Sequence, residues 1–379
     1  MRALVVSHLY MRREWHRKLD CLRSLGVEVH ACVPDMWLEA HTMFGGGRMI
    51  PEAGEGAQLA VVRSFRAGHV ASYLLDPMEL RRIWRRVDPD VVHVEPETYS
   101  FLATECLMIR RRLRAKVVVF GWENIDRRLP LVQRLCRAVV LRRAEGVICG
   151  NAAAEALVRQ YGFKGPVRCI PQVGVDGLRF HPTERAGGGV RIGFAGRLVH
   201  EKGVDVLLKA YAAVRASGAD VELLIAGSGP CEASLRSLAR TLGVAEGVRW
   251  VGPVGRQEMP EFLNNLSILV LPSRTMDFWA EQFGLVLAEA MACGVCCVGS
   301  RSGAIPEVIG DDSLTFPEND DRALGVLLGR LVSDPVLLAS GQTRGLARAQ
   351  RFTFETIATQ IKAFYEDVAG DEGYENSQR

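Results

Sequence analysis

Short runs dominated by apolar residues recur along this chain, many of them followed by a stretch of helical periodicity. Residues 2–7, 27–33, 89–94, 116–121, 146–149 and 167–171 read this way in the first half, and 190–194, 221–226, 248–251 and 268–273 in the second. A strand that is apolar on both faces must be covered on both, as in parallel sheets wrapped by helices. The intervening stripes fit such helices. Asp76-Pro77 is a cap followed by a first-turn proline, and Leu80, Ile83, Trp84 and Val87 then repeat at helical spacing. Asn151 caps another helix, and Val204, Leu207, Leu208, Tyr211 and Val214 form a further stripe. The order β-α-β from the first residues onward predicts an α/β, doubly wound chain. At 379 residues it exceeds one typical core. The polar, glycine-rich stretch 183–189 (TERAGGG) is the expected linker. The expected domains are therefore 1–182 and 190–350, followed by a last helix at about 353–368 with Phe354, Ile357, Ile361 and Phe364 as its stripe.

Composition excludes several classes. The chain is 48% hydrophobic and 24% charged with a net charge of +3, which gives no whole-chain case for nucleic acid. No eighteen-residue apolar run suggests a membrane span, and residues 1–15 have too short an apolar core for a signal peptide. A cytoplasmic location is expected. Ten cysteines, among them Cys32, Cys149, Cys169 and Cys297 inside apolar runs, read as buried thiols rather than disulfides. The Cys293–Cys296 pair is a CxxC, but it has no second CxxC and no histidine at ligand spacing, so packing is the expected role and no metal is expected. Three basic clusters lie in the first half: Arg81, Arg82, Arg85 and Arg86; Arg110, Arg111, Arg112, Arg114 and Lys116; and the arginines between 127 and 143. Solvated helix faces are the ordinary reading. Docking on an anionic membrane surface, at about 1 kcal/mol per charge, is the sharper one.

Residues 272–310 carry the densest chemistry. Glu281 and Glu289 stand eight positions apart around Phe283-Gly284-Leu285. On a continuous helix they would fall near one line, roughly 12 Å apart. That is too far for an acid/base pair on one bond but suits two anchors for an elongated ligand. Gly284 permits a bend and a close backbone approach, and the N–H groups of a helix start face anions. A ligand with a polyol at each end and phosphate between has this shape. Upstream, Arg197 ends one strand region and Lys202 opens the next helix, so the two cations can converge on one anion. Gly196 precedes Arg197, and the turn at Gly227-Ser228-Gly229 and Val254 follow later strands.

These residues resemble the donor site of glycosyltransferase family 4. The match runs through Gly196, Arg197 and Lys202, Glu281 with Phe283-Gly284-Leu285, Ala288 to Gly294 around Glu289, and Gly303-Ala304-Ile305-Pro306-Glu307. It covers nearly all of the second half and is looser in the first. The resemblance implies two Rossmann-like domains facing an interdomain cleft (the GT-B fold) and a retaining, metal-independent sugar transfer. It implies that Arg197 and Lys202 hold the donor diphosphate and stabilise the leaving group, in place of a metal. Glu281 would contact the donor sugar, Phe283, Gly284 and Leu285 would offer backbone N–H groups, and Glu289 would bind the ribose. Gly227 and Val254 would line the nucleotide, and the last helix would cross back onto the first domain. Peripheral membrane attachment is also common in such enzymes.

The first half departs from the family pattern. The loop 7–13 (SHLYMRR) lacks the usual Gly-Gly pair, Gln172 stands where asparagine is usual, and no histidine occurs at Trp122-Glu123. His93, Glu95, Glu97, Trp122, Glu123 and Asn124 follow predicted strands, where ligands bind in doubly wound sheets. Glu123 is the expected catalytic residue of this half, with Asn124, or chemistry that leans on the donor itself, as the alternatives. Residues 34–57 read as a long loop that helps define the acceptor pocket. The expected partners are a nucleotide-sugar donor, UDP-linked by default, and a sugar, lipid-linked or small-molecule acceptor. A sugar-nucleotide epimerase and a non-catalytic nucleotide-sugar or glycan-binding protein are the alternatives.

Overall fold

The structure is a computed structural model and describes residues 1–39, 47–52, 58–110, 114–184 and 189–370. Gly45 and Gly46, Arg111 and Arg112, residues 185–188 of the linker and the polar tail 371–379 lie outside these residues. The chain forms two compact units. The first comprises Met1–Val173 and Phe354–Arg379, the second Gly174–Thr353.

The main sheet of the first unit has seven strands: β1 (Arg2–Val6), β2 (Glu28–Pro34), β3 (Leu59–Val62), β4 (Val91–Val94), β5 (Lys116–Gly121), β6 (Gly146–Cys149) and β7 (Val167–Cys169). Their order is β7-β6-β5-β4-β1-β2-β3. All neighbours are parallel, with Ala3 opposite both Val29 and Val91. Parallel neighbours need crossovers, and helices supply them. They include α1 (His16–Ser24), α2 (Pro77–Val87), α3 (Leu131–Arg143) and α4 (Ala152–Gln160). The Asp76 carboxylate accepts from the Met78 and Glu79 N–H groups, and Leu80, Trp84 and Val87 of α2 are buried. Asn151 caps α4 by accepting from Ala154 N at 2.8 Å.

The second unit has a six-stranded sheet: β8 (Val190–Ala195), β9 (Val221–Ala226), β10 (Val248–Gly252), β11 (Ile268–Leu271), β12 (Cys296–Ser300) and β13 (Thr315–Phe316). The order is β10-β9-β8-β11-β12-β13, again all parallel. The order reverses between β8 and β11. In open α/β sheets that is the switch point beyond whose carboxyl edge ligands sit. Helices α5 (Val204–Ala216) and α6 (Leu285–Ala292) flank this point. The last helix, α7 (Phe354–Gly370), belongs to the first unit, and its Ile357, Ile361, Phe364 and Tyr365 join that unit's core.

Three expectations are corrected. The stretch 34–57 is not simply a loop, because Trp37–Glu39 pairs antiparallel with Gly47–Met49. Trp37 gives this hairpin its anchor, being buried and stacked on His8 at 4.3 Å. Cys169 is exposed rather than buried. It lies on the edge strand β7, where its Sγ meets the Glu155 carboxylate at 3.1 Å. Finally, Glu281 and Glu289 do not share a helix. Gly284 takes a left-handed conformation (φ +74°), so α6 begins at Leu285 and carries Glu289 alone.

Candidate functional site

The site on the second unit is built on the carboxyl edge of β8, β9 and β11. After β8 the chain passes through Gly196 and Arg197 to a one-turn 3-10 helix, His200–Lys202, and Gly203 then opens α5. Arg274, on the loop after β11, pins this turn. Its guanidinium donates to His200 O at 2.7 Å and to Asp205 Oδ2 at 2.6 Å, and its own N–H donates to Glu201 O at 2.8 Å. Arg274 is 7% exposed. An arginine buried among fixed acceptors gives a rigid turn, so the direction of Lys202 is set before any ligand arrives.

Lys202 and Glu281 meet. The Lys202 Nζ lies 2.5 Å from Glu281 Oε2, to which Ser273 Oγ also donates at 3.1 Å. The ammonium stands 4.8 Å from the centre of the Trp279 ring, at cation–π distance. The Glu281 backbone is equally constrained, since its carbonyl accepts from Ala304 N at 2.8 Å. This contact explains Gly303 (φ +50°), where an added Cβ would lie 2.1 Å from Glu281 O. The Gly303-Ala304 motif therefore holds Glu281 by close backbone approach.

The second anchor is also paired. Arg256 Nη1 donates to Glu289 Oε1 at 2.5 Å, and the Glu289 side chain is 3% exposed. Arg197 is more open, at 46% side-chain exposure, and lies 3.7 Å from Glu201. Phe283 is buried and packs edge-to-face on Phe352, Leu285 starts α6, and Val254 is buried after β10. The Gly227 N–H donates to Gly252 O at 2.7 Å and the Gly196 N–H to Ala226 O at 3.0 Å, so these turns are knitted together along the sheet edge. The CxxC cysteines are buried thiols, and burial pushes both Cys293 and Cys296 up to about 12.

The first unit carries a buried polar cluster at the carboxyl edge of β1 and β4. Lys18 Nζ donates to Glu95 Oε1 at 2.7 Å and to Gln172 O at 2.8 Å. Tyr10 OH donates to the same Glu95 oxygen at 2.8 Å. The Gln172 amide lies 3.3 Å from Glu95 Oε2, and its Oε1 accepts from the Trp122 indole at 2.7 Å. Burial alone would raise the Glu95 carboxyl, but the Lys18 ammonium outweighs it and, with hydrogen bonds from Lys18 and Tyr10, holds the group below the usual range. Burial pushes His93 down to about 4, so its ring is neutral at pH 7, with Nδ1 2.8 Å from Tyr365 OH. The loop lacking the Gly-Gly pair thus contributes Tyr10 to this cluster.

Glu123 is held by Arg127 at 3.0 Å (Nε) and 2.8 Å (Nη2). Beside it, both Glu97 oxygens accept from the Trp122 N–H at 3.2 Å. Desolvation, with the Glu123 charge next, pushes Glu97 up to about 7. Its folded value lies above the ordinary 4.5, so between pH 4.5 and 7 the folded chain binds more protons than the unfolded chain. Stability contributed by Glu97 must therefore fall as pH rises through that window. Denaturation curves at pH 5 and pH 8 are expected to show wild type losing more stability than Glu97→Gln. Equal losses would remove Glu97 as the titrating group.

Lys18, Arg256 and Arg274 escaped sequence reading. Lys18 sits on the buried face of α1 with Leu19, Cys21 and Leu22, and a lysine on that stripe was the available signal. Arg256 follows the Val254 turn, and nothing local ties it to a carboxylate 33 positions away.

The family described as Glycosyltransferase Family 4 matches residues 15–176, and Glycosyl transferases group 1 matches residues 180–348. The MMP alpha-(1->4)-mannosyltransferase of Mycolicibacterium hassiacum is 30% identical over 74% of this chain and 71% of its own. The chain belongs to glycosyltransferase family 4. A GDP-mannose-dependent monoacylated alpha-(1-6)-phosphatidylinositol monomannoside mannosyltransferase of Corynebacterium glutamicum is 34% identical over 47% of this chain and 50% of its own. The chain spans between 46% and 71% of the lengths of the curated relatives it matches here. The fold is GT-B. Sucrose-phosphate synthase of Thermosynechococcus elongatus superposes with a TM-score of 0.73 over 98% of this family 4 chain and 99% of its own, at 18% identity.

Proposed function

We propose that the protein is a retaining hexosyltransferase that uses a nucleotide sugar and a hydroxyl acceptor without a metal ion. The observation that carries this reading is the pair of anchored carboxylates on the second unit, Glu281 beside Lys202 and Glu289 beside Arg256. In the reaction the bond from the sugar's anomeric carbon to the diphosphate breaks and a bond to the acceptor oxygen forms. The acceptor's proton leaves with the nucleoside diphosphate. Lys202 and Arg197 stabilise the negative charge that grows on the leaving diphosphate. Glu281 orients the sugar and Glu289 the ribose, while Glu123 and Glu97 stand on the acceptor side. The GDP-mannose-dependent relative supports a GDP-hexose at least as well as the UDP default, so the base is guanine or uracil.

The acceptor is a sugar, a lipid-linked molecule or a small molecule. Contact with the anionic inner face of the plasma membrane belongs to the same reading. Helix α3 exposes Leu131, Val132 and Leu135 among Arg128, Arg134 and Arg137, and no acidic residue occurs from 127 to 143. Apolar side chains ringed by arginine suit an anionic lipid surface. No single helix among the described residues is long and apolar enough to cross a membrane.

The test is thermal unfolding with GDP, UDP, ADP and their sugars, with and without phosphatidylglycerol vesicles, on wild type and Glu289→Ala. Ligand at a hundred times its dissociation constant adds about 2.7 kcal/mol. The expected result is a rise in melting temperature with one guanine or uracil nucleotide, lost in the variant, and sedimentation of the protein with the vesicles. No rise with any nucleotide at millimolar concentration would overturn the donor site.

A further inference from the structure

The Arg256–Glu289 pair has a geometry that a ribose anchor alone does not require. Glu289 projects from α6 and is 3% exposed, with the Arg256 guanidinium at 2.5 Å. Arg256 is itself fixed from behind. Its carbonyl accepts from Arg179 Nη2 at 2.7 Å, and its guanidinium stands 5.7 Å from the centre of the Phe180 ring. The arginine therefore comes from a rigid turn after β10 and reaches a carboxylate on a different element.

Burying a carboxylate is costly unless a cation pairs with it. A carboxylate offers about four lone-pair positions, and a guanidinium N–H bond uses one of them. A carboxylate can accept from two adjacent hydroxyls at once, and hydrogen bonds to an ionised acceptor are stronger than those between neutral groups. Recognition of two hydroxyls needs the carboxylate in one rotamer, and a planar guanidinium fixes a carboxylate better than a flexible ammonium does.

We propose that Arg256 is a positioning residue that supplies the countercharge of Glu289 and locks its rotamer, so that the site selects ribonucleotides over 2′-deoxyribonucleotides. This inference rests on the donor-site reading above. Arg256 acts through Glu289. Its loss therefore weakens the ribonucleotide more than the deoxy form, whereas a merely structural defect weakens both alike.

The experiment is calorimetric titration of wild type, Arg256→Lys and Arg256→Met with GDP, UDP and their 2′-deoxy counterparts. Melting of the unliganded proteins is recorded in parallel. One lost hydrogen bond to a charged group corresponds to about tenfold or more in affinity. Wild type is expected to bind the 2′-deoxy form at least about tenfold more weakly. In Arg256→Met the ratio is expected to fall below about threefold, chiefly through loss of ribonucleotide affinity, and Arg256→Lys is expected to fall between. Should Arg256→Met fail to fold, Arg256→Lys decides alone, and a wild-type ratio in it overturns the proposal. Equal weakening of both forms in Arg256→Met also overturns it, as does a wild type that binds nucleotides without discriminating between them. A wild type that binds no nucleotide overturns the donor-site reading itself, and the inference with it.

Discussion

Lys202→Ala is expected to lower kcat for sugar transfer by about a hundred- to a thousandfold, the usual cost of removing one preorganised donor from a site of developing charge. The magnitude follows from how the ammonium is held. Arg274 fixes the turn that carries it, Glu281 lies 2.5 Å away and the Trp279 ring lies beneath it. A charge already in place needs little reorganisation when the diphosphate begins to leave, which is the condition for large electrostatic catalysis. The effect belongs in kcat more than in KM, because the charge on the leaving group grows toward the transition state. Arg197→Ala should cost less, since that side chain is 46% exposed and water screens its charge. One confounder can be separated. Removing Lys202 also takes from Glu281 the ammonium that pairs with it, while Ser273 still donates to the carboxylate. Glu281→Gln and the double variant isolate this contribution. If Lys202 acts on the diphosphate, the double variant stays far below Glu281→Gln in rate of nucleoside diphosphate release. If the double variant recovers to the Glu281→Gln rate, Lys202 serves only to hold Glu281.

The strands most legible in the sequence are those with no surface to present. Residues 2–7, 116–121, 190–194 and 221–226 are mostly apolar, with the charged residues confined to their first two positions, and each coincides with a central parallel strand. Leu59–Val62 and Thr315–Phe316 gave weaker signals because both lie at sheet edges. The first is only partly buried and the second is two residues long, so neither shows a period. The Trp37 hairpin was hidden by the glycines and proline of 45–51, which read as turn and loop. Within the site, residues carried by a local motif were visible: Gly196 to Gly203, Glu281 to Glu289 and Gly303 to Glu307. The residues that orient them were not. Arg274 reaches Asp205 across 69 positions and Arg256 reaches Glu289 across 33. Such pairs arise only when the sheet order brings distant loops to one edge, and a lone arginine in a loop has no local mark to distinguish it from a solvated one. The same holds for the first unit, where Lys18 and Glu95 are 77 positions apart.

That last pair makes the largest stability prediction. Lys18→Met is expected to destabilise the first unit by about 3–5 kcal/mol, the range for removing one partner of a buried ion pair. Both side chains are essentially inaccessible, at 2% for Lys18 and 1% for Glu95. Tyr10 and Gln172 still offer hydrogen bonds to the abandoned carboxylate, but neither carries a charge. For a unit of this size a loss of that order lowers the melting temperature by roughly 6–20 °C. The sign of the pH dependence separates this cause from a packing defect. In wild type the Glu95 carboxyl is held below its ordinary 4.5, so its stabilisation is complete above that value and is lost as pH falls toward the folded value. Without Lys18 the cation is gone while burial still disfavours the charge, so the carboxyl rises and the dependence reverses. The variant should gain stability relative to wild type as pH is lowered from 7 toward 5. The double variant Lys18→Met with Glu95→Gln should recover much of the loss, because two neutral groups of similar shape avoid the unpaired charge. Chemical denaturation of the three proteins at pH 5 and pH 7 decides the matter. A pH-independent loss that the second substitution does not relieve would mean that Lys18 matters for its packed stem and not for its charge.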